Sequence, residues 1–298
     1  MGKDLHDASS AVQQLFDAAS AATDLDLRRL LFEGTEEELR STDKTQIAIT
    51  LVNLSAAAVL RERGIEPDGC AGFSLGEYAA LVQAGVLAAE DVFSVVRRRG
   101  DCMERASRGL DTRYGGTAGM AAVLGLPFDQ VRTVLQEQGY ERVYPAIWNS
   151  PVQTVIAGAG EELEQAQEAL KVAGARRIVA VKVSGPFHTP LMEDARAEFA
   201  GFLESVDFAD PVVPVYSNVS GARIHTGAQA RELCVQQLVS TVLWVDEARS
   251  VAADGYDEVL EVGPGTVLGG LWKALVKADE SVTAPCRPAG TIDDMAAL

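Results

Sequence analysis

The chain has 298 residues, 47% of them hydrophobic, which is enough to bury the core of one large domain or of two unequal ones. Its formal net charge of −17 argues against nucleic acid and anionic membrane surfaces as partners, because both attract basic patches. Four cysteines lie far apart, at Cys70, Cys102, Cys234 and Cys286, without the C-x-x-C spacing of metal or redox motifs. The sequence shows no signal peptide and no apolar run of bilayer length, so we expect a cytoplasmic protein without a membrane partner or a metal site.

The first part of the chain is predicted to be mostly helical, from the spacing of its apolar residues. No strand is predicted before these helices, which is unusual for an α/β domain. A polar loop with several glycines follows at 109–119, and we place a domain boundary there. The predicted elements up to that loop are helices at 1–20, 24–32 and 46–60, a short strand at 70–72, and helices at 77–87 and 89–107.

The pattern changes to β-α-β-β-α-β after this loop, which is the ferredoxin-like plan. We therefore predict an α/β protein with a ferredoxin-like small subdomain at 120–185. It is inserted into an α/β-hydrolase-like large subdomain with a parallel sheet, formed by 1–119 and 186–298. The predicted strands of the insert are 120–124, 142–149, 152–157 and 178–183, and its helices are 127–138 and 161–173. After it come helices at 190–206, 228–239, 245–254 and 267–275, strands at 213–217 and 258–261, and a loosely packed tail.

The segment Gly72-Phe73-Ser74-Leu75-Gly76 is a G-x-S-x-G pentapeptide between a predicted strand and a predicted helix. This context is typical of a nucleophile elbow, a tight strand-to-helix turn that exposes a serine hydroxyl. Glycines suit such a turn because its backbone approaches the flanking helix and strand closely. The pattern predicts that Ser74 forms a covalent acyl intermediate.

A serine nucleophile needs a base, and the chain has only three histidines. His6 lies near the N-terminus and His225 follows a glycine turn, which is typical of surface residues. His188 follows Gly185 and Pro186 in a loop where the predicted insert rejoins the large subdomain. The order serine then histidine on an α/β scaffold favours His188 as the base.

Collinear segments spread over nearly the whole chain resemble the malonyl-CoA:acyl carrier protein transacylases, the acyltransferase family of bacterial fatty acid biosynthesis. The matching segments are Thr45-Gln46, Gly72 to Tyr78, Arg99-Gly100 with Met103, Gly119 to Val123, Asn149-Ser150-Pro151, Gly185 to His188 with Met192, Ser217-Asn218 and Glu261 to Gly265.

The resemblance implies a role for each matching residue. Ser74 would attack the malonyl thioester of coenzyme A, and His188 would act as base and then as acid. Arg99, at the family's spacing after the serine, would bind the free malonyl carboxylate, since a planar guanidinium matches a carboxylate's two oxygens. A backbone carbonyl near Gln237 would orient the histidine in place of a third triad acid. The alternative for Arg99 is a solvated arginine face, which we assign to its two neighbours.

Other site residues carry roles that the resemblance implies more loosely. Phe187 is typical of enzymes that accept malonyl and exclude branched methylmalonyl units. Gln46 and Asn149 match polar positions near the substrate, where a structural role is an alternative. Leu75 would supply one of two backbone oxyanion donors.

Two features depart from the family pattern. Phe73 stands where many members carry histidine, which we interpret as benign because other members carry apolar residues there. The family's first strand and its Gly-Gln-Gly loop, the source of the second oxyanion donor, have no match. Either Met1 is an internal methionine and the native protein begins about 15 to 20 residues earlier, or this form is a catalytically weak member.

The resemblance implies malonyl-CoA as substrate, acyl carrier protein as partner, no cofactor, and a monomer. A serine thioesterase or esterase is the alternative enzyme, because hydrolases share the elbow. A non-catalytic binding protein is a further alternative. The sequence leaves open which carrier protein is used and whether the pathway makes fatty acids or polyketides.

Overall fold

The computed structural model describes residues 1–39, 42–115 and 117–298, a mixed α/β fold. Helices dominate its first part, where α5 packs against α2, α6 and α7. The predicted first helix is two helices, because Ser9 is extended and its side chain accepts a hydrogen bond from the Val12 N–H as the cap of the second. These helices are α1 Lys3–Ala8, α2 Ser10–Thr23, α3 Leu27–Glu33, α4 Glu36–Leu39, α5 Thr42–Glu62, α6 Gly76–Gln83 and α7 Val92–Tyr114.

Helix α7 is longer than predicted and includes the first half of the predicted boundary loop 109–119. Leu110 is buried in the main core and holds this turn of the helix against it. The helix ends where Gly115 adopts a left-handed conformation with φ of 65°. A glycine at 109 in the helix was therefore a misleading loop signal.

The predicted β-α-β-β-α-β elements are present and form a four-stranded sheet in the order β2-β3-β1-β4, with antiparallel neighbours. Helices α8 and α9 bury a separate apolar core against this sheet, which includes Val123, Val131 and Ile156. The elements are β1 Gly119–Leu124, α8 Phe128–Gln138, β2 Val143–Ser150, β3 Gln153–Gly158, α9 Glu161–Val172 and β4 Arg177–Val181.

The last part of the chain returns to the first core and adds a third apolar cluster around Trp244 and Trp272. The predicted loose tail is wrong, because β8 pairs in parallel with β7, and Ala289 and Met295 are buried. The elements are a 3₁₀ turn Pro190–Met192, α10 Glu193–Leu203, β5 Val215–Tyr216, β6 Arg223–Ile224, α11 Gly227–Gln237, α12 Trp244–Ala253, β7 Val259–Glu261, α13 Val267–Ala278, β8 Cys286–Pro288 and α14 Ile292–Ala296.

Parallel pairing is sparser than the predicted large parallel sheet. In the described ranges it consists of β7 with β8 and two single bridges, Cys70 with Val215 and Ile147 with Val242. The predicted strand 70–72 is reduced to the first of these bridges. Its backbone bonds to side chains instead, since the N–H of Gly72 donates to the Glu247 carboxylate.

The helices of the described part include none that is both long and apolar enough to cross a membrane.

Candidate active site

Ser74 occupies a strained turn immediately before α6. Its φ of 48° lies in the left-handed region, which non-glycine residues adopt at a cost. A Cβ on Gly72 would lie 2.2 Å from the backbone carbon of Gly76, so this glycine is required by close approach. A Cβ on Gly76 would meet nothing within 4 Å, so the sequence expectation for tight space holds at only one of the two glycines. The turn is thus a nucleophile elbow by its geometry.

Phe73, which departs from the family's usual histidine, packs in the third apolar cluster. Its ring meets the edge of Trp244 with centroids 5.4 Å apart. The residue is therefore accommodated by packing, in line with the interpretation that this departure is benign.

Ser74 and His188 meet across a long sequence separation. The Ser74 Oγ lies 2.8 Å from His188 Nε2, and His188 Nδ1 lies 2.8 Å from the Gln237 carbonyl oxygen. A carbonyl can only accept, so Nδ1–H donates to it and the neutral ring leaves Nε2 free to accept from the serine hydroxyl. His188 also has a positive φ, 61°. The geometry is a serine–histidine pair with a backbone carbonyl in the third position.

Burial controls the protonation of His188, which is 4% exposed. Desolvation lowers the pKa of His188 from 6.5 to about 4, and the positive charge of Arg99 acts in the same direction. The hydrogen bond to the Gln237 carbonyl favours the charged ring and opposes both effects. The imidazole is therefore neutral at physiological pH, as a base must be.

Arg99 is a buried cation, 2% exposed, that α7 places beside the serine. Its guanidinium donates to Gln46 Oε1 at 2.9 Å, Gln237 Oε1 at 2.9 Å and Ser74 Oγ at 3.2 Å, and it lies over the Tyr78 ring. Within the described ranges none of its partners is a carboxylate, and its Nε has no acceptor. A buried charge held only by neutral groups is costly, and an anionic ligand offsets that cost.

Gln46 and Phe187 complete the immediate surroundings. The Gln46 amide oxygen accepts from Arg99, and its nitrogen donates toward Met103 Sδ at 3.6 Å. The Phe187 ring is buried in the main core next to the histidine. A Cβ on Gly185 would lie 2.0 Å from Ser107 Oγ, so this glycine lets the loop that carries His188 pass close to α7.

Asn149 and Leu75 are not part of this hydrogen-bonded group. The side chain of Asn149, on β2, has a buried Oδ1 that lacks a partner in the described part of the chain. No hydrogen bond joins it to Ser74, His188 or Arg99 among the described residues. The N–H of Leu75, one residue past the serine, finds no acceptor in those same ranges. It is therefore free to donate to a ligand.

Asn218 stabilises the elbow through hydrogen bonds to its backbone. No role was predicted for this residue from the sequence. Its Oδ1 accepts from the Ser74 N–H at 2.5 Å, and its Nδ2 donates to the Gly72 carbonyl and to Glu247 Oε2. Its backbone N–H donates to Glu77 Oε2. The segment Ser217-Asn218 belonged to the matching motifs, so a signal was present in the sequence.

Two carboxyls that accept hydrogen bonds from Asn218, those of Glu77 and Glu247, are both fully buried. Desolvation raises the pKa of Glu77 to about 7, against the hydrogen bonds from Asn218 and Gln237. Desolvation, and then the charge of Glu77, raise the pKa of Glu247 well above its ordinary value. Glu77 directly follows the pentapeptide, but nothing in the local sequence marks Glu247.

Comparison with known families identifies the class of this protein. The family described as "Acyl transferase domain" matches residues 1–293. The chain therefore belongs to the acyl transferase family, and the resemblance found in the sequence is confirmed.

Most of the similar proteins are named as malonyl transferases that act with an acyl carrier protein. The chain is 38% identical over 276 residues to the "Malonyl CoA-acyl carrier protein transacylase" of Bacillus subtilis, covering 92% of this chain and 85% of that protein. The "Crystal structure of MCAT from Streptococcus pneumoniae" matches with TM-score 0.90 and 34% identity, over 100% of this chain and 93% of that one. A complex described as "PlMCAT:AntF (holo): type II PKS acyl-carrier protein in complex with its malonyl-transacylase" matches with TM-score 0.91 and 34% identity, over 99% and 93%.

Proposed function

We propose that this protein transfers a malonyl group from malonyl-CoA to the phosphopantetheine thiol of an acyl carrier protein, through a malonyl-serine intermediate. The observation that carries the proposal is Arg99, a buried guanidinium without a carboxylate partner among the described residues, 3.2 Å from Ser74 Oγ. A substrate that combines a thioester with a free carboxylate satisfies both groups together. The names of the similar proteins support the same substrate.

The reaction uses the serine–histidine pair twice. His188 Nε2 takes the Ser74 hydroxyl proton while Oγ attacks the thioester carbonyl, and the negative oxygen accepts from the Leu75 N–H. The tetrahedral intermediate collapses and expels the coenzyme A sulfur, which takes the proton from His188. The carrier thiol then gives its proton to His188 Nε2 and attacks the malonyl ester. Ser74 Oγ leaves and takes the proton from His188, which yields the malonyl-carrier thioester. The Gln237 carbonyl accepts from Nδ1–H throughout, so Nε2 is the ring nitrogen that takes up and returns the proton.

Arg99 gives the site its selectivity in this proposal. Its planar fork binds the malonyl carboxylate with two parallel hydrogen bonds, in a site of low dielectric where they are strong. Phe187 lines the space next to His188 and excludes a branched methylmalonyl unit. Gln46 holds the guanidinium in place. Asn149 makes a polar contact to the substrate in this proposal. Its buried Oδ1, which has no partner in the described ranges, supports this role.

We also propose the division into a ferredoxin-like small subdomain at 120–185 and a large subdomain at 1–119 and 186–298. The β2-β3-β1-β4 sheet order and the separate core under α8 and α9 support it. The cytoplasmic location and the monomeric state stay predictions.

A transfer assay tests the proposal against hydrolysis, the chemistry of the thioesterase alternative. The protein is incubated with malonyl-CoA and a holo acyl carrier protein, and malonyl-carrier and free malonate are quantified. We expect malonyl-carrier as the main product, with a rate that depends on the carrier concentration. Release of malonate at a rate that is independent of the carrier would support a hydrolase instead.

The acylation rate is expected to persist to unusually low pH. The base must be neutral, and the pKa of His188 is lowered to about 4, so kcat/KM for Ser74 acylation should stay constant down to about pH 5 and fall below it. A bound malonyl carboxylate neutralises Arg99, so the pKa in the kcat profile should lie above that in the kcat/KM profile. Rapid-quench measurement of the acyl-enzyme across pH checks this.

Circular dichroism at each pH is the control for unfolding. The folded pKa of His188 lies below its unfolded value of 6.5, so protonation favours the unfolded chain, and stability from this group is lost as pH falls from about 6.5 to 4. A half-maximal kcat/KM near pH 6.5 in fully folded protein would contradict the expected profile.

A further inference from the structure

Gln237 connects the two catalytic elements of the proposed site. Its main-chain carbonyl accepts from His188 Nδ1 at 2.8 Å, and its side-chain Oε1 accepts from Arg99 at 2.9 Å. Its Nε2 donates to the Ser74 carbonyl at 3.1 Å and to Glu77 Oε2 at 2.7 Å. The position and orientation of this one residue therefore affect both the base and the anion-binding cation.

The orientation of the Gln237 amide has two alternatives that differ by a rotation of half a turn. In the observed one, the oxygen faces the Arg99 guanidinium and the nitrogen faces the Glu77 carboxyl. In the other, an N–H₂ group would face a guanidinium that only donates, and an oxygen would face the Glu77 oxygen. The acceptor at Glu77 Oε2 therefore favours the observed orientation, together with the Arg99 donor and the Ser74 carbonyl.

The fold places Glu77 in position to make this contact. It lies in the first turn of α6, fully buried, and its Oε2 accepts from both the Gln237 amide and the Asn218 backbone N–H at 3.1 Å. Its Oε1 has no partner in the described part of the chain. One oxygen thus makes both of the carboxyl's hydrogen bonds, which a neutral acceptor of the same shape can also make.

Gln237 also separates Glu77 from Arg99. A direct ion pair would neutralise the guanidinium and compete with a substrate carboxylate. Burial raises the pKa of Glu77 to about 7, which further limits its negative charge beside Arg99. The other titratable groups around Glu77 are Tyr78, Cys234 and Glu247.

We propose that Glu77 is a positioning residue. As a hydrogen-bond acceptor it fixes the side chain of Gln237, and through this residue it positions both the Arg99 guanidinium, which bonds to the amide oxygen, and the His188 ring, which bonds to the main-chain carbonyl. The part that concerns malonyl selection rests on the proposed function. The part that concerns the base does not, because any reagent that acylates or phosphonylates Ser74 depends on His188.

The test compares Glu77→Leu, which removes the acceptor, with Glu77→Gln, whose amide oxygen can take both hydrogen bonds of Oε2. The control is Glu162→Leu, which removes a carboxyl on α9 that is bound to Arg142, the residue before β2. A fluorophosphonate probe measures the reactivity of Ser74 without any acyl substrate. Mass spectrometry measures the ratio of malonyl to acetyl loading from the two coenzyme A thioesters.

We expect Glu77→Leu to slow fluorophosphonate labelling about 10- to 100-fold and to lower the malonyl-to-acetyl ratio, because misplaced groups lose much of their effect. Glu77→Gln should restore most of both, and Glu162→Leu should change neither. A folded Glu77→Leu with wild-type labelling and ratio would overturn the proposal. Equal losses in the leucine and glutamine variants would also overturn it, since the charge and not the acceptor would then matter.

Gln237→Met provides a second route if Glu77→Leu does not fold. It keeps the main-chain carbonyl and removes the amide that Glu77 fixes, so the malonyl-to-acetyl ratio should fall while Glu77→Gln keeps it. An unchanged ratio in Gln237→Met would contradict the proposal. Wild-type protein that reacts with the fluorophosphonate but not with malonyl-CoA would refute the proposed function, and the labelling rates would still test the positioning of the base.

Discussion

Replacing His188 with alanine is expected to lower the rate of Ser74 acylation by about 10⁴- to 10⁶-fold, the range measured for members of serine–histidine catalytic groups. The serine hydroxyl lies 2.8 Å from Nε2, and apart from Arg99, which donates to it, no other side chain in the described ranges bonds to its oxygen. An arginine is always protonated and cannot replace the base. Rapid-quench measurement of acyl-enzyme formation checks this expectation.

His225→Ala is the matched control, because His225 is exposed and remote in the hydrogen-bond network from the serine. It should acylate at the wild-type rate. A loss below tenfold in a folded His188→Ala variant would mean that another group activates Ser74.

Replacing Arg99 with alanine is expected to reduce malonyl loading about 100- to 1,000-fold, the cost of losing one partner of a buried charge pair. Loading of acetyl, which has no carboxylate, should be largely spared, since the cation is the group that the carboxylate requires. The ratio of malonyl to acetyl adducts on Ser74, measured by mass spectrometry, therefore falls. Arg99→Lys should recover only part of it, because an ammonium lacks the planar fork.

Arg98→Ala is the control for this experiment. Arg98 is the preceding residue of α7, but it forms an ion pair with Glu198 at the surface and lies over the Phe202 ring. Its loss should leave the ratio unchanged. Equal falls in malonyl and acetyl loading for Arg99→Ala would show that this arginine supports the structure and does not select the substrate.

The local part of the site could be predicted from the sequence. The pentapeptide is a short-range pattern, and its turn is fixed by the close approach at Gly72. His188 was favoured by its order after the serine, and Arg99 was implied by the resemblance to the transacylase family. The structure brings both to Ser74. The predicted strands of the four-stranded sheet were within a few residues of the observed bounds, because short apolar runs between turns mark most of them in the sequence.

The long-range part could not be predicted in the same way. Glu247 reaches the elbow from α12, across 175 residues of sequence, and its local pattern is that of an ordinary acidic residue in a first helical turn. The strand expected at 70–72 is mostly replaced by hydrogen bonds to Glu247 and Asn218, which depend on tertiary contacts. Asn149 belongs to a matching motif, but the motif does not show whether its side chain bonds to Ser74, His188 or Arg99. In the described residues its Oδ1 has no hydrogen-bond partner.

The most direct test of the proposed mechanism is mass spectrometry of the protein after incubation with malonyl-CoA, with the peptide that contains Ser74 analysed. We predict a gain of one malonyl group on Ser74, absent in Ser74→Ala and removed when a holo acyl carrier protein is added. A wild-type protein that stays unmodified, or that carries the malonyl group on another residue, would contradict the proposed malonyl-serine intermediate.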